Sequence, residues 1–100
     1  MENRMFAGPR YVTRGIQERL SFELQMVLWD LIEKLEGEKD YLQVFTLKSM
    51  DEVSISVIHS QECPSYSETY RLSPMKPMRD EKVFVIDNGE YSTMLFAEEY

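Results

Sequence analysis

The chain is poor in residues that would cross-link it or anchor it. Only one of its 100 residues is cysteine. Because Cys63 has no second cysteine to pair with, no internal disulfide can form, which is typical of a reducing compartment. No apolar run approaches the ~20 residues that a membrane-spanning helix needs, and the first residues, MENRMFAGPR, lack the apolar core of a secretion signal. We therefore expect a cytoplasmic protein that does not contact a membrane.

Basic residues are outnumbered by acidic ones. The chain carries 11 Lys and Arg against 18 Asp and Glu, for a net charge of −7. Nucleic-acid phosphates repel such a chain, so we expect no nucleic acid among its partners. The acidic surface is explained either by solubility or by a basic protein partner. Isolated glycines form no phosphate-binding loop, and no G-x-S-x-G elbow occurs, so no cofactor is predicted.

The length and an apolar share of 43% indicate one globular domain over residues 1–100, with residues 1–8 expected to be poorly ordered. RYVTRGI (10–16) is rich in β-forming residues and predicts a strand that ends at Gly15. SFELQMVLWDLIEKLEG (21–37) predicts the main helix, with Ser21 as N-cap and Gly37 as the C′ residue.

Alternating and aromatic runs follow the helix. They predict a hairpin of strands 40–50 and 52–62, an edge strand 66–72 and a loop 73–81. Asn88-Gly89 favours a two-residue type I′ turn in a final hairpin, with Asp87 opposite Glu90. We therefore predict an α+β fold of order β-α-β-β-β-β-β, in which one main helix packs on a mostly antiparallel sheet of five or six strands.

The main helix is apolar on two sides. One stripe, at the spacing expected for the face that packs on the sheet, contains Leu20, Leu24, Val27, Leu28, Leu31 and Leu35. Phe22, Met26 and Trp29 follow the same spacing on nearly the opposite face and require a cover of their own. Three covers are open: the segment Met5-Phe6 or the loop with Met75 and Met78, a second copy in a homodimer, or another protein. We expect Trp29 to be buried by this chain or by a twin.

HSQECP (59–64) is the one cluster with candidate chemistry, because it holds the only histidine and the only cysteine. His59 and Glu62 are the weak catalytic candidates. Strand alternation points them to opposite sides, and the spacing fits no known zinc site, so no metal is predicted. We expect His59 to be a histidine at a strand end beside the core, and the protein not to be an enzyme.

Several stretches together carry a family resemblance, in this order: YVTRGI, LQMVLW, DYLQVF, HSQECP and YSTMLFAEEY. The chain resembles the domain of unknown function 960 family, short proteins of Gram-positive bacteria that are often carried on mobile elements. Cys63 occupies a variable position of that family's H-x-Q-E-x-P stretch, which argues against thiol chemistry. The resemblance implies a small cytoplasmic α+β domain without an established activity, and an accessory role in mobile-element biology.

The leading functional hypothesis is a small acidic module that binds another protein or itself, with Phe22, Met26 and Trp29 at the interface. One alternative is a nucleic-acid mimic that inhibits a basic DNA-binding protein, which requires carboxylates in a phosphate-like row. The other is an enzyme or small-ligand binder centred on His59 and Glu62, with Arg14 as a further candidate.

Overall fold

The structure is a computed structural model that describes residues 5–73 and 79–100. Two helices and a mixed sheet of six strands make up the described fold, and a short 3-10 helix ends it. In chain order the elements are β1 (Arg10–Val12), α1 (Arg14–Arg19), α2 (Phe22–Lys34), β2 (Leu42–Ser49), β3 (Ile55–Gln61), β4 (Tyr66–Leu72), β5 (Glu81–Asp87), β6 (Ser92–Phe96) and the 3-10 helix (Ala97–Glu99).

The strands lie in the order β1-β6-β5-β2-β3-β4, so β4 is an edge strand, as predicted. All neighbouring strands are antiparallel except β1 and β6, which run parallel. The predicted α+β class, with a main helix packed on a mostly antiparallel sheet, is confirmed. No helix in the described ranges has the length and apolar character needed to cross a membrane.

The first strand is shorter than predicted. It ends at Val12 because Thr13 caps a helix that the sequence did not reveal: the Thr13 Oγ1 accepts a hydrogen bond from the Ile16 N–H at 3.3 Å. This short helix, α1, buries Ile16 completely in the core. The predicted strand through Gly15 is therefore wrong, because a side-chain cap and one buried isoleucine outweigh β propensity in a short segment.

The main helix begins where the sequence predicts. Ser21 is its N-cap, and the Ser21 Oγ accepts from the Leu24 N–H at 3.2 Å. The helix ends at Lys34, and Leu35 is already extended. Gly37, predicted as the C′ residue, has φ +86° and lies one position beyond the observed C′ residue, Glu36. The left-handed conformation there favours glycine, as the helix-end prediction assumed.

One face of the sheet forms the core with α2. The helix contributes the fully or almost fully buried side chains of Leu24, Leu28, Trp29 and Ile32. Ile32 was absent from the predicted stripe, whereas Val27 and Leu31 are only partly buried. The buried face is thus rotated from the predicted stripe towards Trp29, so the tryptophan lies at its margin rather than on the opposite side.

The final hairpin has a longer turn than predicted. Asp87 pairs with Ser92 rather than Glu90, which leaves residues 88–91 as a four-residue connection. The Asn88 Oδ1 accepts from the backbone N–H groups of Glu90 and Tyr91, both at 3.0 Å. This local side-chain bonding, with Gly89 at φ +100°, replaces the two-residue turn.

The second face of the sheet carries neither α1 nor α2. We call the surface formed by Leu42, Val44, Ile58, Phe84 and Ile86 the open face; all of these side chains are half-buried. Strand pairing sets Leu42 opposite Ile86 and Val44 opposite Phe84, so these four form one continuous apolar band across β2 and β5. Side chains on this face alternate along each strand with core residues.

Candidate functional site

His59 is entirely enclosed by the fold. It lies on β3 with no exposed surface. Its ring stacks on Phe45, with ring centres 4.5 Å apart and an interplanar angle of 18°. The edge of Tyr66 approaches with a ring-centre distance of 5.3 Å. Its Nε2 lies 2.6 Å from the Oε1 of Gln43.

The neighbouring amides fix the protonation of this histidine. The Gln43 Nε2 donates to the Asp40 carbonyl oxygen at 2.8 Å and to the Gln61 Oε1 at 2.7 Å. Only the oxygen of the Gln43 amide is then available to His59, so the His59 Nε2 must carry the hydrogen. The Nδ1 atom is buried and has no hydrogen-bond partner among the described residues. Burial lowers the pKa of His59 to about 4, so its ring is neutral at pH 7.

Gln61 extends the network to two loops. Its Oε1 accepts from the Asp40 N–H at 3.0 Å as well as from Gln43, and its Nε2 donates to the carbonyl oxygens of Glu38 at 3.2 Å and Pro64 at 2.8 Å. Every hydrogen-bonding group of this buried amide is engaged. The segment before β2 and the turn after β3 are therefore joined through one side chain.

Glu62 and Cys63 do not join His59 in this arrangement. Both side chains are exposed, and Cys63 is a free thiol. Their backbone N–H groups donate to the Asp40 Oδ2 at 3.3 and 3.0 Å. Across residues 5–73 and 79–100, no three or more side chains of His, Cys, Asp or Glu cluster in a way that would hold a metal ion.

We call His59, Gln43, Gln61 and Asp40 the polar network. The sequence singled out its histidine but missed its two glutamines. A signal was present: Gln43 and Gln61 stand at inward positions of strands whose other inward residues are apolar. Buried amides at such positions must find partners, and the nearest partners lie on adjacent strands and loops.

The chain itself buries Trp29, which is 5% exposed. The Arg10 guanidinium lies 4.9 Å from its ring centre, and the Arg10 Nη2 pairs with the Glu33 Oε2 at 2.6 Å. Phe6, 4% exposed, belongs to the same buried cluster, and Met5 packs against it. The predicted burial of Trp29 is confirmed, and the segment Met5-Phe6 contributes to that core.

Phe22 and Met26 have no comparable cover among the described residues. They are 70% and 48% exposed and lie one helical turn apart on α2. We call this pair the helix ridge. Met75 and Met78, the other residues proposed as a cover, lie outside the described residues.

The carboxylates of the two helices are largely paired with basic side chains. Glu18 pairs with Arg14 at 3.3 Å, and Asp30 with Lys34 at 2.9 Å. Arg14 is therefore an exposed ion-pair partner on α1. A row of unpaired carboxylates, which nucleic-acid mimicry requires, is not formed by these helix residues.

Comparison with known proteins agrees with the sequence resemblance. The family model described as staphylococcal protein of unknown function (DUF960) matches residues 9–99. The chain belongs to the DUF960 family. It is also similar to a solved structure, the crystal structure of a protein of unknown function from Enterococcus faecalis, with 23% identity and a TM-score of 0.84 over 100% of this chain and 97% of that one. This likeness supports the fold. No curated protein matches the chain.

Two stretches that carry the DUF960 resemblance have structural roles in this chain. HSQECP supplies His59 and Gln61 to the polar network. YSTMLFAEEY ends in Glu99, whose Oε1 accepts from the Thr13 Oγ1 at 2.8 Å and from the Phe96 N–H at 2.7 Å. The same carboxylate would collide with any Cβ on Gly15, which would lie 2.5 Å from Glu99 Oε2. The chain end thus holds α1 against the sheet.

Proposed function

We propose that this protein is a protein-binding module that inserts its helix ridge into an apolar groove of a partner. One observation carries the proposal: Phe22 is 70% exposed on a helix whose neighbouring Trp29 is only 5% exposed. The fold encloses the larger aromatic ring and leaves the smaller one in water. Large apolar residues at i and i+4 of an exposed helix face are the anchors of helix-in-groove recognition.

The magnitude of the effect is adequate for specific binding. Complete burial of a phenylalanine or methionine side chain contributes about 1.5–3 kcal/mol. Because Phe22 and Met26 are 70% and 48% exposed before binding, the two anchors together would strengthen binding by about one to two orders of magnitude in Kd, since ~1.4 kcal/mol corresponds to tenfold. The net charge of −7 favours a partner whose groove has a basic rim, because complementary charge accelerates association.

The polar network supports a structural rather than a catalytic role for the HSQECP stretch. His59 is buried, neutral and hydrogen-bonded to Gln43, and Glu62 faces solvent. A general base must reach its substrate, and a buried ring stacked on Phe45 presents no such path. The accessory role in mobile-element biology stays a prediction.

Affinity capture followed by a binding measurement tests the proposal. The wild type, the double variant Phe22→Ser/Met26→Ser and the control Val53→Ser are immobilised and exposed to extract from the native host. Val53 is 55% exposed and lies in the connection between β2 and β3, far along the chain from the ridge. We expect a protein that the wild type and the control retain and the double variant loses.

Isothermal titration calorimetry with that protein in purified form then measures the dissociation constant of each variant. The double variant should bind at least tenfold more weakly than Val53→Ser, while circular dichroism shows the same fold in all three proteins. Equal affinity of the double variant and the wild type would contradict the proposal, as would the absence of any ridge-dependent protein.

A further inference from the structure

We infer that two copies of this chain pack their open faces together to form a symmetric dimer. The inference goes beyond the proposed function because it uses a different surface, on the side of the sheet that does not carry α2. The helix ridge would therefore stay accessible in the dimer.

The composition of the open face is the first reason. The solvent-facing side of an antiparallel sheet normally carries polar side chains. Here the central positions are Leu42, Val44, Phe84 and Ile86, which form two adjacent apolar pairs across β2 and β5. Ile58 on β3 extends the apolar surface by one strand.

Aromatic residues border this surface. Tyr100, 77% exposed, turns its ring edge to Phe84 at 5.7 Å between ring centres. Tyr11 pairs with Thr93 across β1 and β6 and meets Tyr91 edge-to-face at 5.2 Å. Tyr11 and Tyr91 are 53% and 41% exposed. Exposed tyrosines around an apolar centre are typical of the composition of protein interfaces.

The available area suits a dimer. Strands spaced ~4.8 Å apart that rise ~3.3 Å per residue give the five longer strands a projected face of roughly 500 Å². The accessible area of a corrugated sheet with bordering tyrosines exceeds its projection. A standard interface takes ~800 Å² from each partner, so the dimer would cover the whole open face together with its bordering tyrosines.

Charge selects a second copy and its orientation. Lys48 and Lys82 are exposed near the end of the sheet where β2 finishes and β5 begins, and neither forms an ion pair with a described residue. Glu62 and Glu90 are exposed at the opposite end, where β3 finishes and β5 turns into β6. A face that carries positive charge at one end and negative charge at the other is complementary to a second copy of itself.

The axis of symmetry follows from this distribution. If it runs across the strands, each copy's lysine end meets the other's glutamate end, and Lys48 approaches the partner's Glu62. If it runs along the strands, like charges meet. The first arrangement is an aligned packing of two sheets, ~10 Å apart, with strands of the two copies antiparallel.

Light scattering coupled to size exclusion, repeated over a concentration series, tests the dimer. The wild type should have twice the mass of the 11.9 kDa chain. Phe84→Ser should shift the mass to that of one chain, and Phe22→Ser, the matched control on α2, should leave the dimer unchanged. A wild type that is monomeric at every concentration overturns the inference, even if a different protein covers the open face.

A charge exchange keeps the test decisive if Phe84→Ser does not fold. Lys48→Glu is an exposed change that should weaken the dimer at least tenfold at low salt, and the double variant Lys48→Glu/Glu62→Lys should restore it. A dimer that Lys48→Glu leaves intact overturns the proposed orientation, and one that Phe22→Ser disrupts overturns the choice of surface. Neither result depends on the identity of a groove-bearing partner, so this test can fail while the proposed function holds.

Discussion

The polar network and the helix ridge differ in how far the fold uses their side chains. The network contains the residue types that chemistry usually needs, a histidine, an aspartate and two amides, and the fold engages almost all their polar atoms. The ridge contains two apolar residues that cannot act as acids or bases, and the fold leaves Phe22 70% and Met26 48% exposed. In this protein the reactive residue types have structural roles, whereas the exposed apolar residues form the surface that we propose for a partner.

Breaking the network should have the largest effect on stability. Gln61→Ala removes hydrogen bonds to Asp40, Gln43, Glu38 and Pro64 and leaves several buried groups without partners. Each unsatisfied buried group costs ~1–3 kcal/mol, so we expect the free energy of unfolding to fall by about 3–4 kcal/mol. Urea denaturation followed by circular dichroism measures it.

Ser60→Ala is the matched control for this variant. Ser60 neighbours Gln61 on β3 but is half-buried on the opposite side of the sheet. Its loss should change stability by less than ~0.5 kcal/mol, as surface substitutions usually do. Equal effects of the two variants would mean that the network contributes little.

Acidification should lower the free energy of unfolding by a slightly smaller amount, through His59 of the same network. His59 has a pKa of about 4 when folded against an ordinary value of 6.5, because burial disfavours its charged form. The unfolded chain therefore binds a proton more readily between those values. The contribution of the neutral ring is fully present above pH 6.5 and is lost as the pH falls towards 4. At ~1.4 kcal/mol per pKa unit, the loss amounts to about 3 kcal/mol.

The variant His59→Gln isolates this contribution from the titration of carboxylates. Unfolding free energies of the wild type and the variant are measured from pH 7.5 down to pH 4. The wild type should lose more stability than the variant over this interval, and mainly below pH 6.5. Parallel curves would show that His59 titrates alike in the folded and unfolded chain.

The sequence predicted the parts of the fold that depend on neighbours along the chain. The Ser21 cap and the apolar spacing of α2 are local features, and so is the alternation of Val57 and His59 on β3. The end of β1 was harder to predict from the sequence, because Thr13 can either continue a strand or cap a helix. The choice depends on burial of Ile16 and on Glu99, which lies at the far end of the chain.

The polar network was beyond prediction for a related reason. Gln43 and Gln61 are on different strands, and their bonding depends on the register that sets Val44 opposite Ser60. Sequence alternation shows that both amides point inward but not that they meet. Trp29 illustrates the same limit, because helical spacing gave its angle on α2 but not the position of Arg10 beside it.

Removal of the ridge should have the smallest effect on stability, and this sharpens the contrast with the network. Phe22→Ser deletes a side chain that is 70% exposed, so little apolar contact is lost on the folded side. We expect the free energy of unfolding to change by no more than ~0.5 kcal/mol, as for other surface positions. Thermal and urea denaturation of the variant and the wild type measure this change, at protein concentrations at which both are monomeric. A loss above ~1 kcal/mol would show that Phe22 packs within its own chain, and the ridge would then no longer be available to a partner.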